Sequence, residues 1–197
     1  MRWTLRIGAV LAVLLAVYTV SPFVDLYRLG RAIERRDAAA IVSRVEFRAV
    51  RRSLEHQIAA TYLRLTGREA RLGPMSGLAI GAAASIIDPV IADMVSPERL
   101  VAVFAEGWPA DMLPPEHRGT RIEVAPETLG KILRAYANSE YTMENFYVSL
   151  PVDVPASQRY RLRFRLIAWT WKLYDVDLPE AVKVRVAQEV VKALEKM

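Results

Sequence analysis

Arg159, Arg161, Arg163 and Arg165 recur at every second position of one short stretch, with Tyr160, Leu162, Phe164 and Leu166 set between and after them. Period-two alternation marks a strand with one buried face. With the aromatic and aliphatic set inward, the guanidinium groups stand in a row outside. Each offers a planar fork of donors, so the ridge suits carboxylates or phosphates. An acidic protein partner or anionic lipid headgroups are the ligands expected of it. The plainer alternative is a solvated face neutralised across neighbouring strands by acids such as Glu140 or Glu144.

A second set of residues is built on carboxylates. Asp88 and Asp93 lie in the apolar stretch 77–95. A carboxyl buried there beside a cavity would keep its proton to higher pH and could serve as a general base. Tyr141 and Trp171 are the polar-tipped aromatics that would converge with Asp88 on such a cavity. Otherwise both aspartates cap or edge helices around Pro89. His56 follows Glu55 and His117 follows Glu116, but neither has a second histidine at ligand spacing, so both are expected in solvent. The chain has no cysteine, which removes thiol nucleophiles, cysteine metal sites and disulfides. No phosphate-cradling glycine loop or nucleophile-elbow serine is present. No catalytic set, metal site or cofactor is expected, and the chain reads as non-enzymatic.

The elements that must position these residues begin with an apolar run. Arg2 and Arg6 flank Trp3, and Ile7 to Val20 carry no charge. About 20 apolar residues cross the hydrocarbon core of a bilayer, and Trp3 to Val24 supply that length with Arg6 snorkelling. A cleaved export signal needs small residues before the cut. Here only Val17 with Thr19, or Thr19 with Ser21, are available, the second followed directly by Pro22. An uncleaved single-pass anchor is therefore expected. Arg28, Arg31, Arg35 and Arg36 outnumber the two arginines before the span, which favours a cytoplasmic domain. The short amino tail followed at once by an apolar run favours export. Export is preferred, with the main domain in the periplasm of a bacterial inner membrane.

Along the rest of the chain, Pro22 to Arg36 reads as helix, continuing the span through a bend at Ser21-Pro22. Asp37 caps a short helix and Glu46-Phe47 interrupts it. A long helix follows with Val50, Leu54, Ile58, Tyr62 and Leu65 in one stripe, ended by Gly67. The stretch 77–95 reads as a helix packed tightly on the core, its Gly73, Gly77, Gly81 and Ser85 spaced by four so that another backbone can approach. Ser96-Pro97-Glu98 starts a helix that buries Leu100, Val101 and Phe104. Trp108 to Arg118 reads as a loop, and Thr128 to Ala137 as a short helix. Strands are expected at Tyr141–Leu150, Tyr160–Leu166 and Trp169–Val176. A final helix opens at Pro179-Glu180 with Val182, Val186, Val190 and Leu194 on one stripe, a surface on which copies of the chain could associate. Helices first and strands late argue for an α+β fold with an antiparallel sheet of about three or more strands.

The order of several short motifs resembles the opening of an uncharacterised bacterial family of anchored or exported proteins catalogued only as a domain of unknown function. These are Ser21-Pro22-Phe23, Leu26-Tyr27-Arg28-Leu29, Ala32-Ile33, Arg36-Asp37, Val45-Glu46-Phe47 and Arg51-Arg52-Ser53-Leu54. Trp171-Lys172-Leu173, Val176 and Leu178-Pro179 resemble the family's closing strand. Glu46 stands where the family pattern has an aspartate. The resemblance carries over no catalytic residue. A weaker likeness, in which helices pack on a curved sheet ending in Trp-x-Leu, is to the NTF2-like cone fold, and it implies a small-ligand or isomerase-like cavity. The expected organisation is an anchor over 1–24, an α+β domain over 25–178 and an amphipathic helix over 179–197. The expected role is a membrane-tethered binding or interaction module. The net charge of +5 comes without the interleaved basic and aromatic pattern of a nucleic-acid module, so no nucleic-acid partner is expected.

Overall fold

The computed structural model describes residues 2–67, 75–94 and 136–194, with positions 96, 99 and 134. In chain order these form α1 (Arg2–Glu34), α2 (Ala38–Arg44), α3 (Phe47–Leu65), α4 (Ser76–Met94), β1 (Ser139–Tyr141), β2 (Asn145–Leu150), β3 (Tyr160–Ile167), β4 (Thr170–Asp177) and α5 (Glu180–Leu194). The fold is α+β, with one antiparallel meander in the order β1-β2-β3-β4. The expected helix start at Ser96 shows its cap, as the Arg99 N–H donates to Ser96 Oγ at 3.2 Å. The expected burial of Leu100, Val101 and Phe104, the loop 108–118 with His117, and most of the helix 128–137 lie outside the described residues.

The span and the following helix are one continuous element. α1 runs through Pro22, which removes the N–H that would bond the Tyr18 carbonyl. Ser21 replaces it, its hydroxyl donating to that carbonyl at 2.8 Å. The first half of α1 is apolar on every side and exposed, with Leu5, Val10, Leu11, Leu14 and Val17 all in the open. It is long and apolar enough to cross a membrane, and only 6% of its most apolar window is buried, unlike the helix of a soluble core. The second half turns amphipathic. Leu26, Leu29, Ala32 and Ile33 enter the core.

That core is the inner face of the sheet covered by helices. Phe146, Val148, Leu150, Tyr160, Leu162, Phe164, Trp171 and Leu173 point inward. Val50, Leu54 and Ile58 of α3 and Val182, Val186 and Val190 of α5 complete the cluster. Val182, Val186 and Val190 of the α5 stripe are thus spent inside the chain and are not open to the self-association expected there. α4 adds Ala84, Ile87 and Ile91 to the same core. Its glycines do not mediate close packing: Gly77 and Gly81 are exposed, with nothing within 4 Å of a Cβ placed on either. The branched aliphatic side chains of α4 make the contact instead.

The outer edge of β4 is sealed by groups from the helices. The Trp171 N–H donates to Asp25 Oδ2 at 3.0 Å. The Leu173 carbonyl accepts from the Glu46 N–H at 2.8 Å, beside a parallel bridge between Val45 and Leu173. Gln57 donates to the Val176 carbonyl at 2.9 Å and accepts from the Leu178 N–H at 3.1 Å. Unpaired edge groups would otherwise recruit another strand. The opposite edge, β1, is three residues long.

Two hairpin turns lie at one end of the meander. The expected strand 141–150 is two strands, broken at Thr142-Met143-Glu144, where Thr142 and Asn145 bond one another through backbone and hydroxyl. Between β3 and β4, Ala168 and Trp169 form a two-residue turn with φ of 48° and 63°. Positive φ at both centres is the primed geometry that suits hairpin twist.

Asp37 caps α2 through its side chain, whereas Glu46 at the start of α3 makes no cap bond. A glutamate is one methylene too long for the position that aspartate fills well. Glu46→Asp is expected to raise the Tm of the full chain in detergent by about 3 °C. Asp25→Ala strands the Trp171 N–H and is expected to lower it by about 5 °C, with Asp25→Asn costing less.

Candidate functional site: the outer face of the sheet

The outer face carries the alternating arginines beside α3. A cleft of about 570 Å³ lies there, lined by Arg52, Ser53, His56 and Gln57 of α3 and by Tyr147, Arg161, Arg163, Tyr174, Asp175 and Asp177 of the sheet. Its shape follows from a register shift. Phe164 pairs with Leu173 and Arg163 with Asp175, so Tyr174 is an extra residue in β4. A bulge of this kind re-aims side chains. Leu173 and Val176 both reach the core, and Tyr174 and Asp175 both meet Arg163 outside it. Arg163 pairs with Asp175 at 3.1 Å and its guanidinium carbon lies 5.1 Å from the Tyr174 ring centre.

The charges of this face differ in how firmly they are held. Asp175 is shared between Arg163 and the Ser53 hydroxyl, and Asp177 is paired with Lys183 at 2.7 Å. Arg161 reaches Glu140 at 2.6 Å and Arg165 reaches Glu144 at 3.2 Å, but the two glutamates are about 70% exposed. Exposed pairs of this kind contribute roughly 0–1 kcal/mol and yield readily to a competing anion. Arg161 also covers the Tyr147 ring at 4.8 Å. Arg52 has no carboxylate partner among the described residues, its Nε donating only to the Arg48 carbonyl at 3.2 Å. His56, expected in solvent, is exposed and lines the cleft. Arg159 leaves the ridge: it turns back on the loop before β3, donating to the Val154 and Val152 carbonyls at 2.8 and 3.0 Å and to Asn138 at 3.0 Å. The expected ridge therefore becomes three strand arginines joined by Arg52 and two tyrosines. Arg52, Tyr147 and Tyr174 were not foreseen. The sequence signal for them was present: apolar spacing in Trp171-x-Leu173-x-x-Val176 slips from two to three where the bulge lies.

Asp88, Tyr141 and Trp171 do not converge. Asp88 sits on the far side of α3, bonded to Arg51 at 2.9 Å, and Arg51 also holds Glu55 at 2.9 Å. The hydrogen bond with Glu55, aided by Arg51, lowers the Asp88 pKa, so the raised value that a general base needs there is absent. Glu55 moves the other way, raised chiefly by burial and then by Asp88. Asp93 side-chain surroundings lie outside the described residues. Tyr141 donates to the Thr19 carbonyl at 2.8 Å, and its pKa is raised by burial. The Trp171 indole N–H donates to Ser21 Oγ at 2.8 Å. Both aromatics join the sheet to α1, and neither the outer-face cleft nor the groove beside α1 is lined by any of the three. Among the described residues no cluster of three or more histidine, aspartate or glutamate side chains could hold a metal ion.

A family model described as "Protein of unknown function (DUF2939)" matches residues 11–103. The resemblance to an uncharacterised family is thereby confirmed over that segment. It contains Asp25, Glu46 and Gln57, the groups that seal β4, and ends before the sheet. No curated protein and no solved structure matches the chain, so the NTF2-like likeness gains no support.

The Arg51 cluster yields a pH test. The lowered Asp88 pKa contributes stability above the usual carboxylate range that is lost on acidification. The raised Glu55 pKa contributes stability at acid pH that is lost as pH rises through its folded value. Arg51→Gln removes the cation both share, so Asp88 loses its partner and Glu55 is driven higher. The Tm deficit of the variant is expected to grow between about pH 4 and pH 7; a constant deficit would refute the coupling.

Proposed function

We propose that this protein is a non-enzymatic binding module, held to a bacterial inner membrane by α1, whose ligand face is the outer face of the sheet. The observation that carries the reading is the cleft where Arg52 and Arg161 stand beside two tyrosine rings: its own carboxylates, Asp175 and Asp177, are taken up by Arg163 and Lys183, and Arg161 is held only by the exposed Glu140 at its rim. Planar cations next to aromatic faces suit a carboxylate-bearing segment. The cleft lies along Arg161, Arg163, Asp175 and Asp177, toward the end of β4 away from α1's apolar half. Eight residues of strand separate Trp169 from Asp177, roughly 26 Å. Asp177 is the far end of the cleft and Tyr174, roughly 16 Å from Trp169 along the strand, the near one; with the strand rising from the bilayer both would clear the headgroup layer, which favours an acidic protein partner over lipid.

An uncleaved anchor is supported by bonds on both sides of the available cut sites. Tyr18 donates to the Met143 carbonyl at 2.6 Å, and Thr19 and Ser21 receive Tyr141 and Trp171. Cleavage after Thr19 or Ser21 would strip several of these. The basic pair Arg2 and Arg6 directly before the apolar run has the pattern of an export signal and favours the periplasmic side, against the arginine count after the span. Alkaline phosphatase fused after Met197 is expected to be active, and an inactive, stable fusion reverses the orientation.

The binding reading is tested with a fluorescent hexaglutamate peptide and the full chain in zwitterionic nanodiscs. Arg52→Gln with Arg161→Gln is expected to weaken binding about tenfold at low salt, less at high salt. Unchanged affinity would rule out this face. Binding to anionic vesicles without peptide binding would assign the arginines to lipid.

A further inference from the structure

We infer that the two hairpin turns are a membrane seat: Met143 and Trp169 insert into the lipid interface around the point where α1 leaves the bilayer. The inference rests on the reading of α1 as an anchor and is independent of which compartment holds the domain.

Three observations converge on it. Met143 is 92% exposed and Trp169 is 90% exposed, although a methionine and a tryptophan are among the side chains most favourably removed from water. The turns carrying them lie at the same end of the meander, and both adjoin α1. Tyr18 bonds the Met143 carbonyl, and Trp169 forms one wall of a groove of about 500 Å³ whose other wall is Ala16, Val17, Val20, Ser21, Val24, Asp25 and Arg28 of α1. The exposed apolar surface of α1 therefore runs without interruption into the groove and onto the tryptophan.

The second argument is length. At 1.5 Å per residue, Trp3 to Val17 covers only about 22 Å, short of a hydrocarbon core of about 30 Å. Tyr18, where the domain first grips the helix, must then sit at or below the far interface. The turns beside it are carried to the same depth. Tryptophan favours that layer, and Arg28, nearly three turns beyond Tyr18 and 60% exposed, would reach phosphate height. The occupant of the groove is thus the lipid of the bilayer that α1 crosses.

The third argument is strain. Ala168 and Trp169 take φ of 48° and 63°, a geometry that asparagine and glycine adopt at little cost and a bulky side chain does not. Neither packing nor turn chemistry accounts for a tryptophan here, whereas an interfacial contact does.

The chain lacks cysteine, so single spin labels are unambiguous. Full-length Met143→Cys, Trp169→Cys, Val13→Cys and Ser157→Cys are labelled in phosphatidylcholine–phosphatidylglycerol nanodiscs. Collision with oxygen, which partitions into lipid, is compared with collision with a water-soluble nickel chelate. Ser157, in the connection at the opposite end of the sheet, reports water. The oxygen-to-nickel ratio at 143 and 169 is expected to exceed that at 157 several-fold and to approach that at 13. Ratios at 143 and 169 equal to 157, with 13 in lipid, would overturn the seat and leave the anchor standing. Label 13 in water would overturn both. Trp169→Gly guards against misfolding as an explanation: it should hold or raise the Tm while moving a label at 143 toward water. An unmoved label would argue against the tryptophan's part.

Discussion

The outer edge of β4 governs the architecture. A strand that ends a sheet leaves a row of donors and acceptors that must find partners or attract another chain. Here Trp171 is met by Asp25, Leu173 by Glu46, and Val176 and Leu178 by Gln57. α1, the start of α3 and the middle of α3 are thereby tied to one strand at successive heights. Each partner contributes modestly alone, about 1 kcal/mol net for a typical bond, but an abandoned buried donor costs more than the bond gained. The seal therefore constrains α1 to a single position. The apolar half of that helix leaves the domain as a continuation of the half that enters its core.

The same strand builds the outer face. One extra residue at Tyr174 lets Leu173 and Val176 both stay inward while Tyr174 and Asp175 both turn out to Arg163. Without the bulge, strict alternation would send one of these outward residues to the core. Asp175 is consumed by Arg163 and Ser53, which anchors the middle of the face and leaves charge surplus at its flanks. Rigid centre and weakly compensated rim are what a surface needs to bind without reorganising.

Much of this was legible in sequence where the signal is periodic. Tyr160 to Leu166 alternates without error and forms β3; Val182, Val186 and Val190 repeat by four and line α5's buried side. The turn at Thr142-Met143-Glu144 was missed because it holds neither glycine nor proline and works through the Thr142 hydroxyl. The small residues of α4 misled because spacing shows which residues share a face, not which face packs. The cleft was invisible because Arg52 and Arg161 are more than a hundred positions apart, joined only by how α3 lies along β4. Tyr141 and Trp171 were expected to line a cavity with Asp88, but their polar tips serve α1.

Glu46 and Trp169 both break local rules, and they differ in kind. Glu46 leaves a helix start uncapped, yet its backbone N–H closes onto β4 and its side chain gains nothing visible. That is an ordinary small departure from the optimum, of the sort stable proteins carry without purpose. Trp169 departs twice over, in a left-handed backbone conformation and in nearly full exposure of the largest apolar side chain. Both penalties act in the same direction, and among the described residues no hydrogen bond or ring contact of the Trp169 side chain offsets them. A residue that opposes local preference on two independent counts, at the place where a membrane-length helix enters its domain, is best explained by a surrounding other than water. The distinction rests on location: the uncapped helix start faces its own fold, and the strained tryptophan faces the groove where the apolar half of α1 meets the domain.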